Sequence, residues 1–350
     1  MRALTVAPGV PNSARIDEVP EPPAADGSVL VRSLALGICA TDREIVAGDY
    51  GAPPPGQQRL ILGHESLGCV EEAPADCGLD AGDLVVGIVR RPDPVPCAAC
   101  AVGEWDMCRN GEYTERGIKA RNGYGAERFR IEPQFTVKLD PILGIHGVLL
   151  EPASIMAKAW EHTDYVGRRS KAWQPRTLLV TGAGPIGLLA ALMGAQRGLD
   201  VHVLDRDTGG EKESLARELG GTYHCGDLDT ATHLRPDILM ECTGAPALIA
   251  GVLGRTAPAG IACLVGIAAP GHQCKLDIGS IDRTLVGDND LVLGSINANR
   301  RHFEAAAEAL RRAKPSWLGR LITRRVPLEH WREALHQKKG DIKVAIDFTL

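Results

Sequence analysis

The chain has 350 residues, 44% hydrophobic and 24% charged, with 39 basic side chains against 44 acidic ones and a formal net charge of −5. That length exceeds what one hydrophobic core usually supports and excludes a peptide hormone or a disulfide knot, and the charge balance excludes a surface built for nucleic acid. Forty glycines against five Trp, five Tyr and four Phe point to many tight strand-to-helix turns rather than an aromatic-cored β-sandwich.

In chain order, MRALTV reads as a first strand, closed by Pro8 and Gly9 and too short for the core of a secretory signal. Up to about residue 150, short β-type runs such as SVLVRSLALGIC, LILGHESLGCVEEA and GDLVVGIV alternate with Pro and Gly clusters. From about residue 176 strands and helical segments alternate: RTLLVTGAG, PIGLLAALMGAQRG, DVHVLDRD, KESLARELGG, DILMECTGA and onward. That alternation predicts parallel βαβ units. NRRHFEAAAEALRRA is then polar and helical, and IKVAIDFTL reads as a last strand. The expected fold class is α/β, with a β-rich domain over residues 1–153 and 297–350 interrupted by a doubly wound parallel-sheet domain over 154–296. The stretch from Thr177 to Ala195 approaches membrane-spanning length, but its glycines and Pro185 divide it into strand, turn and helix, so no membrane partner is expected. Ten cysteines over this length are too sparse for a disulfide scaffold and imply a reducing, cytoplasmic location.

Gly182, Gly184 and Gly187 form G-x-G-x-x-G directly after an apolar strand and before a helix. In that setting the first glycine permits the turn, the second lets backbone approach a pyrophosphate, and the third lets helix and strand pack closely. Asp205 ends the next strand where a carboxylate accepts hydrogen bonds from an adenosine ribose, which favours NAD; Arg206 follows and suits a 2′-phosphate, which keeps NADP open.

Three segments before this unit, GICATDREI, LGHES and LLEPAS, carry Cys39, His64 with Glu65, and Glu151. Singly, each has a structural explanation: a small buried hydrophobe, a satisfied core histidine, a pairing carboxylate. Together, thiolate, imidazole and carboxylate are the ligand types of a catalytic zinc that keeps one position open.

These motifs, G-I-C-A-T-D, G-H-E-x-x-G, Glu151-Pro152 and G-A-G-P-I-G, resemble the zinc-dependent medium-chain alcohol dehydrogenases. ICATDREIVAG, Arg90-Arg91-Pro92, CRNGEYTERGI and GSINANRRHF are similar, more narrowly, to the glucose (aldose) 1-dehydrogenase branch, and the resemblance runs along essentially the whole chain. It implies a GroES-like catalytic domain joined to a Rossmann domain, with the active site in the cleft between them. Cys39, His64 and Glu151 would lie on or beside the metal, Glu65 would be an additional or exchanging ligand, and Thr41 would pass the substrate proton outward. Glu115 and Asn297, with Glu151, would hold the sugar, while Val89 and Ile155 stand where some relatives carry polar sugar-binding groups. Cofactor contacts would come from Gly182, Gly184, Pro185, Ile186, Gly187, Asp205, Arg206, Thr243 and Asn297.

The same resemblance implies a structural zinc on four cysteines, but only Cys97, Cys100 and Cys108 are present. Pro94 occupies the position two residues further back, and proline cannot ligate zinc. Either Asp93 completes a weaker site, or the three thiols are free.

The implied reaction is zinc-dependent oxidation of an aldose C1 hydroxyl, of glucose or galactose type, to the aldonolactone, with hydride passing to NAD(P). The alternative is a polyol, cyclitol or secondary-alcohol dehydrogenase on the same fold, to which Val89 and Ile155 give weight. A reading from a different class is a non-catalytic dinucleotide-binding redox sensor switched by the three lobe thiols; retention of Cys39, His64 and Glu151 counts against it. A homodimer or homotetramer is expected, with Leu291 to Ile296 as either an edge strand or an internal one.

Overall fold

In VLVRSLALGI, small and apolar residues build a ten-residue strand, Val29–Ile38, whose Val29, Val31, Leu36 and Ile38 are buried. In this structure, a computed structural model describing residues 1–231, 233–268, 271 and 273–350, that strand is the axis of a seven-stranded sheet. Glu65–Glu72 pairs antiparallel along one side and Lys343–Asp347 along the other. The register sets Gly37 opposite Glu65 and Val344 opposite Ile38, so three segments far apart in sequence share one end of the sheet. A Cβ at Gly37 would lie 2.0 Å from Glu65 Oε2, so only glycine leaves room for that carboxylate.

LILGHESLGCVEEA does not form one strand. It gives Leu60–Ile61 and Glu65–Glu72, separated at Gly63, whose φ of +96° turns the chain. A further strand, Ile322–Pro327, escapes sequence reading because arginines occupy its middle. It closes this end of the sheet, parallel to Lys343–Asp347, and its arginines are answered by Asp341 and Asp347.

The contacts divide the chain into Met1–Ser154 with Asn297–Leu350, and Ile155–Ile296. The second unit is a six-stranded parallel sheet in the order Thr222–Cys225, Asp200–Asp205, Thr177–Thr181, Ile238–Glu241, Ile261–Leu264, Leu291–Gly294. Leu291–Gly294 is thus at the sheet's edge rather than internal. Leu179, Leu204, Leu239 and Ala262 form one face of its core, packed against Leu228 and Val252. Thr177–Thr181 passes through the glycine loop into helix Pro185–Gln196, dividing the long apolar stretch as its glycines require. A different stretch, Pro141–Gly167, is long and apolar enough to cross a membrane, and most of it is buried as in a core helix.

Candidate metal and dinucleotide sites

Helix Ala40–Ala47 begins at the end of Val29–Ile38, with Cys39 as its N-cap. The Cys39 sulfur accepts the Thr41 N–H at 3.3 Å, and Asp42 Oδ2 accepts the Cys39 N–H at 2.9 Å. A capping box normally made by Ser or Thr therefore places a thiol at a helix N-terminus.

His64 Nε2 faces Cys39 Sγ at 3.2 Å. Its Nδ1 lies 3.3 Å from Asp42 Oδ1, close enough for charge pairing but not aligned as a hydrogen bond. Burial works against a charged imidazole here, but Cys39 and Asp42 outweigh it and hold the His64 pKa well above its ordinary value. Burial pushes Asp42 up, and His64, the Cys39 N–H and Lys343 together more than reverse this, leaving Asp42 lowered.

Ligand atoms of Cys39, His64 and Glu65 lie within 4.8 Å of one another. Glu151 does not join that group. It is buried at the first turn of helix Leu150–Gly167, and its pKa is pushed up to about 7, chiefly by burial, with Glu65 adding to the shift. The sequence reading also missed Lys343. Its Nζ sits 2.7 and 2.6 Å from the two Glu65 oxygens, and both side chains are almost fully buried. Burial would lower Lys343, but Glu65 and Cys39 raise it above the usual lysine value, so the ammonium persists inside the protein. Its only signal in the sequence is a lysine placed directly before the apolar run Val-Ala-Ile of the strand KVAID.

The donor set fits zinc. Thiolate, imidazole and carboxylate converge, Asp42 stands behind the far ring nitrogen of His64, and the Cys39–His64 separation approaches that of two ligands on one tetrahedral ion. Lys343 and a protonated His64 offset the buried acidic groups here, and a divalent cation would take the place of the His64 proton that faces Cys39.

Glu115 and Arg90 are directly opposite each other in strands Arg90–Arg91 and Thr114–Arg116. Arg90 Nε and Nη2, each at 3.0 Å, and Asn297 Nδ2 at 2.7 Å all donate to Glu115 Oε1. The Arg90 guanidinium also lies over the Tyr113 ring at 3.6 Å. Oε2 of Glu115 is left without a hydrogen-bond partner among the described residues. Val89 is buried and Ile155 half-buried.

In the lobe, Cys97, Cys100 and Cys108 offer sulfurs within 4.8 Å of one another, and Asp93 is not in the group. Asp93 Oδ1 accepts the Val95 N–H at 2.8 Å and Oδ2 is bonded by Asn110 Nδ2, which commits both oxygens. N–H groups of Arg109 and Cys100 push Cys97 down to about 6, while burial pushes Cys100 up to about 11.

In the second unit, Gly182 has φ +93°, and a Cβ at Gly187 would lie 1.7 Å from the Gly182 carbonyl oxygen. A Cβ at Gly184 would meet nothing within 4 Å. The first and third glycines are thus required by the turn itself, and the second faces open space of the kind a pyrophosphate fills. Pro185 and Ile186 open the helix beyond. Asp205 Oδ2 accepts the Ala183 N–H at 2.6 Å, and Lys212 Nζ is 3.6 Å from Oδ1; Arg206 is exposed. Thr243 is exposed, and its N–H and hydroxyl both bond the buried Glu241, which sequence reading overlooked.

Residues 25–141 match the alcohol dehydrogenase GroES-like domain, and residues 144–348 match the glucose dehydrogenase C-terminus. Glucose 1-dehydrogenase of Thermoproteus tenax is 41% identical and that of Methanocella arvoryzae 37%, each match covering 99% of both chains. Among solved structures, the glucose dehydrogenase of Haloferax mediterranei in complex with NADP, Zn and gluconolactone superposes with a TM-score of 0.91 at 32% identity, covering 100% of both chains. The two family matches together span most of the chain and the relatives match it from end to end, so the chain belongs to the glucose dehydrogenase branch of the zinc-dependent medium-chain alcohol dehydrogenase superfamily.

Proposed function

We propose that the chain oxidises the C1 hydroxyl of a cyclic aldose of glucose or galactose type to the aldonolactone, with NAD(P)⁺ becoming NAD(P)H and one proton released. The observation that carries this is its match, along 99% of its length, to glucose 1-dehydrogenases. When bound, zinc supplies Lewis acidity at the C1 oxygen and the nicotinamide accepts the hydride.

The remaining work falls to the chain's own side chains. Cys39, His64 and Glu65 hold the metal, with Glu151 close by as a carboxyl able to change its protonation near neutral pH. Lys343 fixes Glu65, and Asp42 faces the outer ring nitrogen of His64. Glu115, with Oε1 triply bonded by Arg90 and Asn297, presents Oε2 as an acceptor for a sugar hydroxyl. The Thr41 hydroxyl, in the first turn of the helix that Cys39 caps, passes the substrate proton outward. The glycine loop receives the pyrophosphate with Pro185 and Ile186, and Thr243 and Asn297 complete the cofactor contacts. Asp205 supports NAD, while Lys212 beside it and the exposed Arg206 support entry of a 2′-phosphate.

Ten free thiols support a reducing, cytoplasmic setting, and the edge position of Leu291–Gly294 supports a homodimer or homotetramer built through that edge. Initial rates over a panel of aldoses and polyols, with NAD and NADP in parallel, test the proposal. Aldose turnover with lactone as product is expected. A panel in which only polyols or secondary alcohols react would transfer the assignment to the reading that the apolar Val89 and Ile155 favour.

A further inference from the structure

The lobe keeps three thiols that the proposed reaction does not use. Cys97, Cys100 and Cys108 bring their sulfurs within 4.8 Å of one another, and all three are free. Cys97 and Cys108 are partly exposed, and Cys100 is buried. Cys97 precedes helix Ala98–Ala101, and its sulfur accepts the Arg109 N–H at 3.4 Å, whereas the Cys108 sulfur donates to Asn110 Oδ1 at 2.9 Å. One sulfur is thus placed as a nucleophile and the other keeps its hydrogen. Cys108 directly follows the short turn Trp105–Met107, whose Asp106 reaches toward Glu115 by two routes. The Asp106 carbonyl oxygen accepts Arg90 Nη1 at 3.3 Å, and Asp106 Oδ1 accepts Asn299 Nδ2 at 2.8 Å. Arg90 and Asn297, two residues before Asn299, are the donors that hold Glu115 Oε1.

We propose that Cys97 and Cys108 form a redox-active pair that exchanges with low-molecular-weight disulfides and, once oxidised, weakens sugar binding at Glu115. The Cys97 thiolate attacks a small disulfide, forming a mixed disulfide on Cys97 and releasing one small thiolate. Cys108 then gives up its hydrogen as a proton, which that thiolate takes, and attacks the Cys97 sulfur, releasing the second small thiolate. Two protein thiols are oxidised and one small disulfide is reduced to two thiols. Access selects Cys108 over Cys100, because a buried thiol is poorly placed to lose a proton to water. In a reducing compartment a disulfide of this kind is transient and follows the redox poise. Bonded sulfurs stand about 2.05 Å apart, so closing the pair draws the turn Trp105–Met107 toward helix Ala98–Ala101, and Asp106 moves with it. Arg90 and Asn299 then lose their anchor, and Glu115 is held less firmly. This last step rests on Glu115 binding the sugar as proposed above; the exchange chemistry does not.

The test incubates zinc-loaded protein with oxidised glutathione, maps disulfides by mass spectrometry of proteolytic peptides, and measures aldose kinetics before oxidation, after it and after dithiothreitol. A Cys97–Cys108 bond is expected in the native protein, with KM for the aldose raised about fivefold or more, the scale of one weakened hydrogen bond. The kcat and the dinucleotide Kd should stay near their reduced values, and dithiothreitol should restore KM. Cys97→Ser and Cys108→Ser, each close to native when reduced, should show no rise in KM on oxidation. The proposal is overturned if Cys97 stays reduced or keeps glutathione, if its partner is Cys100, if the oxidised native protein keeps its KM, or if either serine variant shows the same rise. Failure of the aldose assignment is distinct: it shows as no aldose turnover by the reduced protein, where peptide mapping still decides the pairing.

Discussion

Two three-donor clusters occupy the same unit of this protein and differ in what surrounds them. Around Cys39, His64 and Glu65 stand a buried lysine, a buried aspartate and a buried glutamate, the lysine brought in by a sheet register that joins residues about 300 positions apart and the two acids by helices. Around Cys97, Cys100 and Cys108 stand a four-residue helix, short turns and an aspartate committed elsewhere. Identical donor counts thus accompany opposite embedding: one cluster is surrounded by buried ionisable groups of both signs, while the other meets local N–H groups, which push Cys97 down to about 6. What distinguishes the two clusters is the layer of side chains around them rather than the number of donors.

The sharpest way to break that comparison is to remove one thiol from each cluster. Cys39→Ser or His64→Ala should lower aldose turnover by at least ~10³-fold, about 4 kcal/mol at the barrier, while dinucleotide binding measured by fluorescence titration stays near the native value. Cys97→Ser should leave turnover within about threefold, and metal analysis of the native protein should give one tightly held zinc per chain, since the lobe lacks a fourth thiol and Asp93 is engaged. Comparable losses from Cys39→Ser and Cys97→Ser would erase the distinction.

The second layer is where the sequence was least legible, and the reason is physical. Ligand residues sit in short contiguous motifs, and the glycine loop is legible because a turn imposes Gly182 and Gly187 within six residues of each other. Cys39 capping its helix with Asp42 at the third position follows the same local logic. Lys343 is a different case: it reaches Glu65 only through antiparallel pairing of Lys343–Asp347 with Val29–Ile38, and no spacing rule connects residues 278 positions apart. Glu151 shows the opposite failure. Its Glu-Pro motif is plain, yet the structure leaves it outside the mutual 4.8 Å of the other three, a distance that residue type does not encode. Strand Ile322–Pro327 was missed because its arginines are neutralised by aspartates distant in the chain, which hides the period-two pattern that identifies a strand.

Lys343 offers the next largest effect. Lys343→Met leaves Glu65 charged and buried without its partner, which should cost about 3–5 kcal/mol in urea unfolding of the zinc-free protein. Combining it with Glu65→Gln should recover much of that loss, because the uncompensated charge is then gone. Zinc-loaded protein should lose less than zinc-free protein, as the bound ion takes over part of the lysine's role. A cost below about 1 kcal/mol for Lys343→Met would mean that the sheet end relaxes to let water reach Glu65.

Glu151 sharpens the comparison by sign. Its folded pKa of about 7 exceeds the ordinary carboxylate value because of burial and the neighbouring Glu65. A group raised on folding contributes stability that is complete below its unfolded pKa and disappears as pH rises through the folded value, so this contribution fades between about pH 4.5 and 7. Cys97 has the reverse displacement, down to about 6, because N–H groups of Arg109 and Cys100 outweigh its partial burial. In zinc-free protein, Glu151→Gln should therefore match the native chain near pH 4.5 and exceed it by on the order of 2 kcal/mol at pH 8, where the native side chain must either bury its charge or open the site. The difference should shrink when zinc is added, because the cation then stabilises the ionised carboxylate. Parallel unfolding curves at the two pH values would place Glu151 in contact with water, and the buried ionisable groups that set this cluster apart from the lobe would then be Asp42, His64, Glu65 and Lys343 alone.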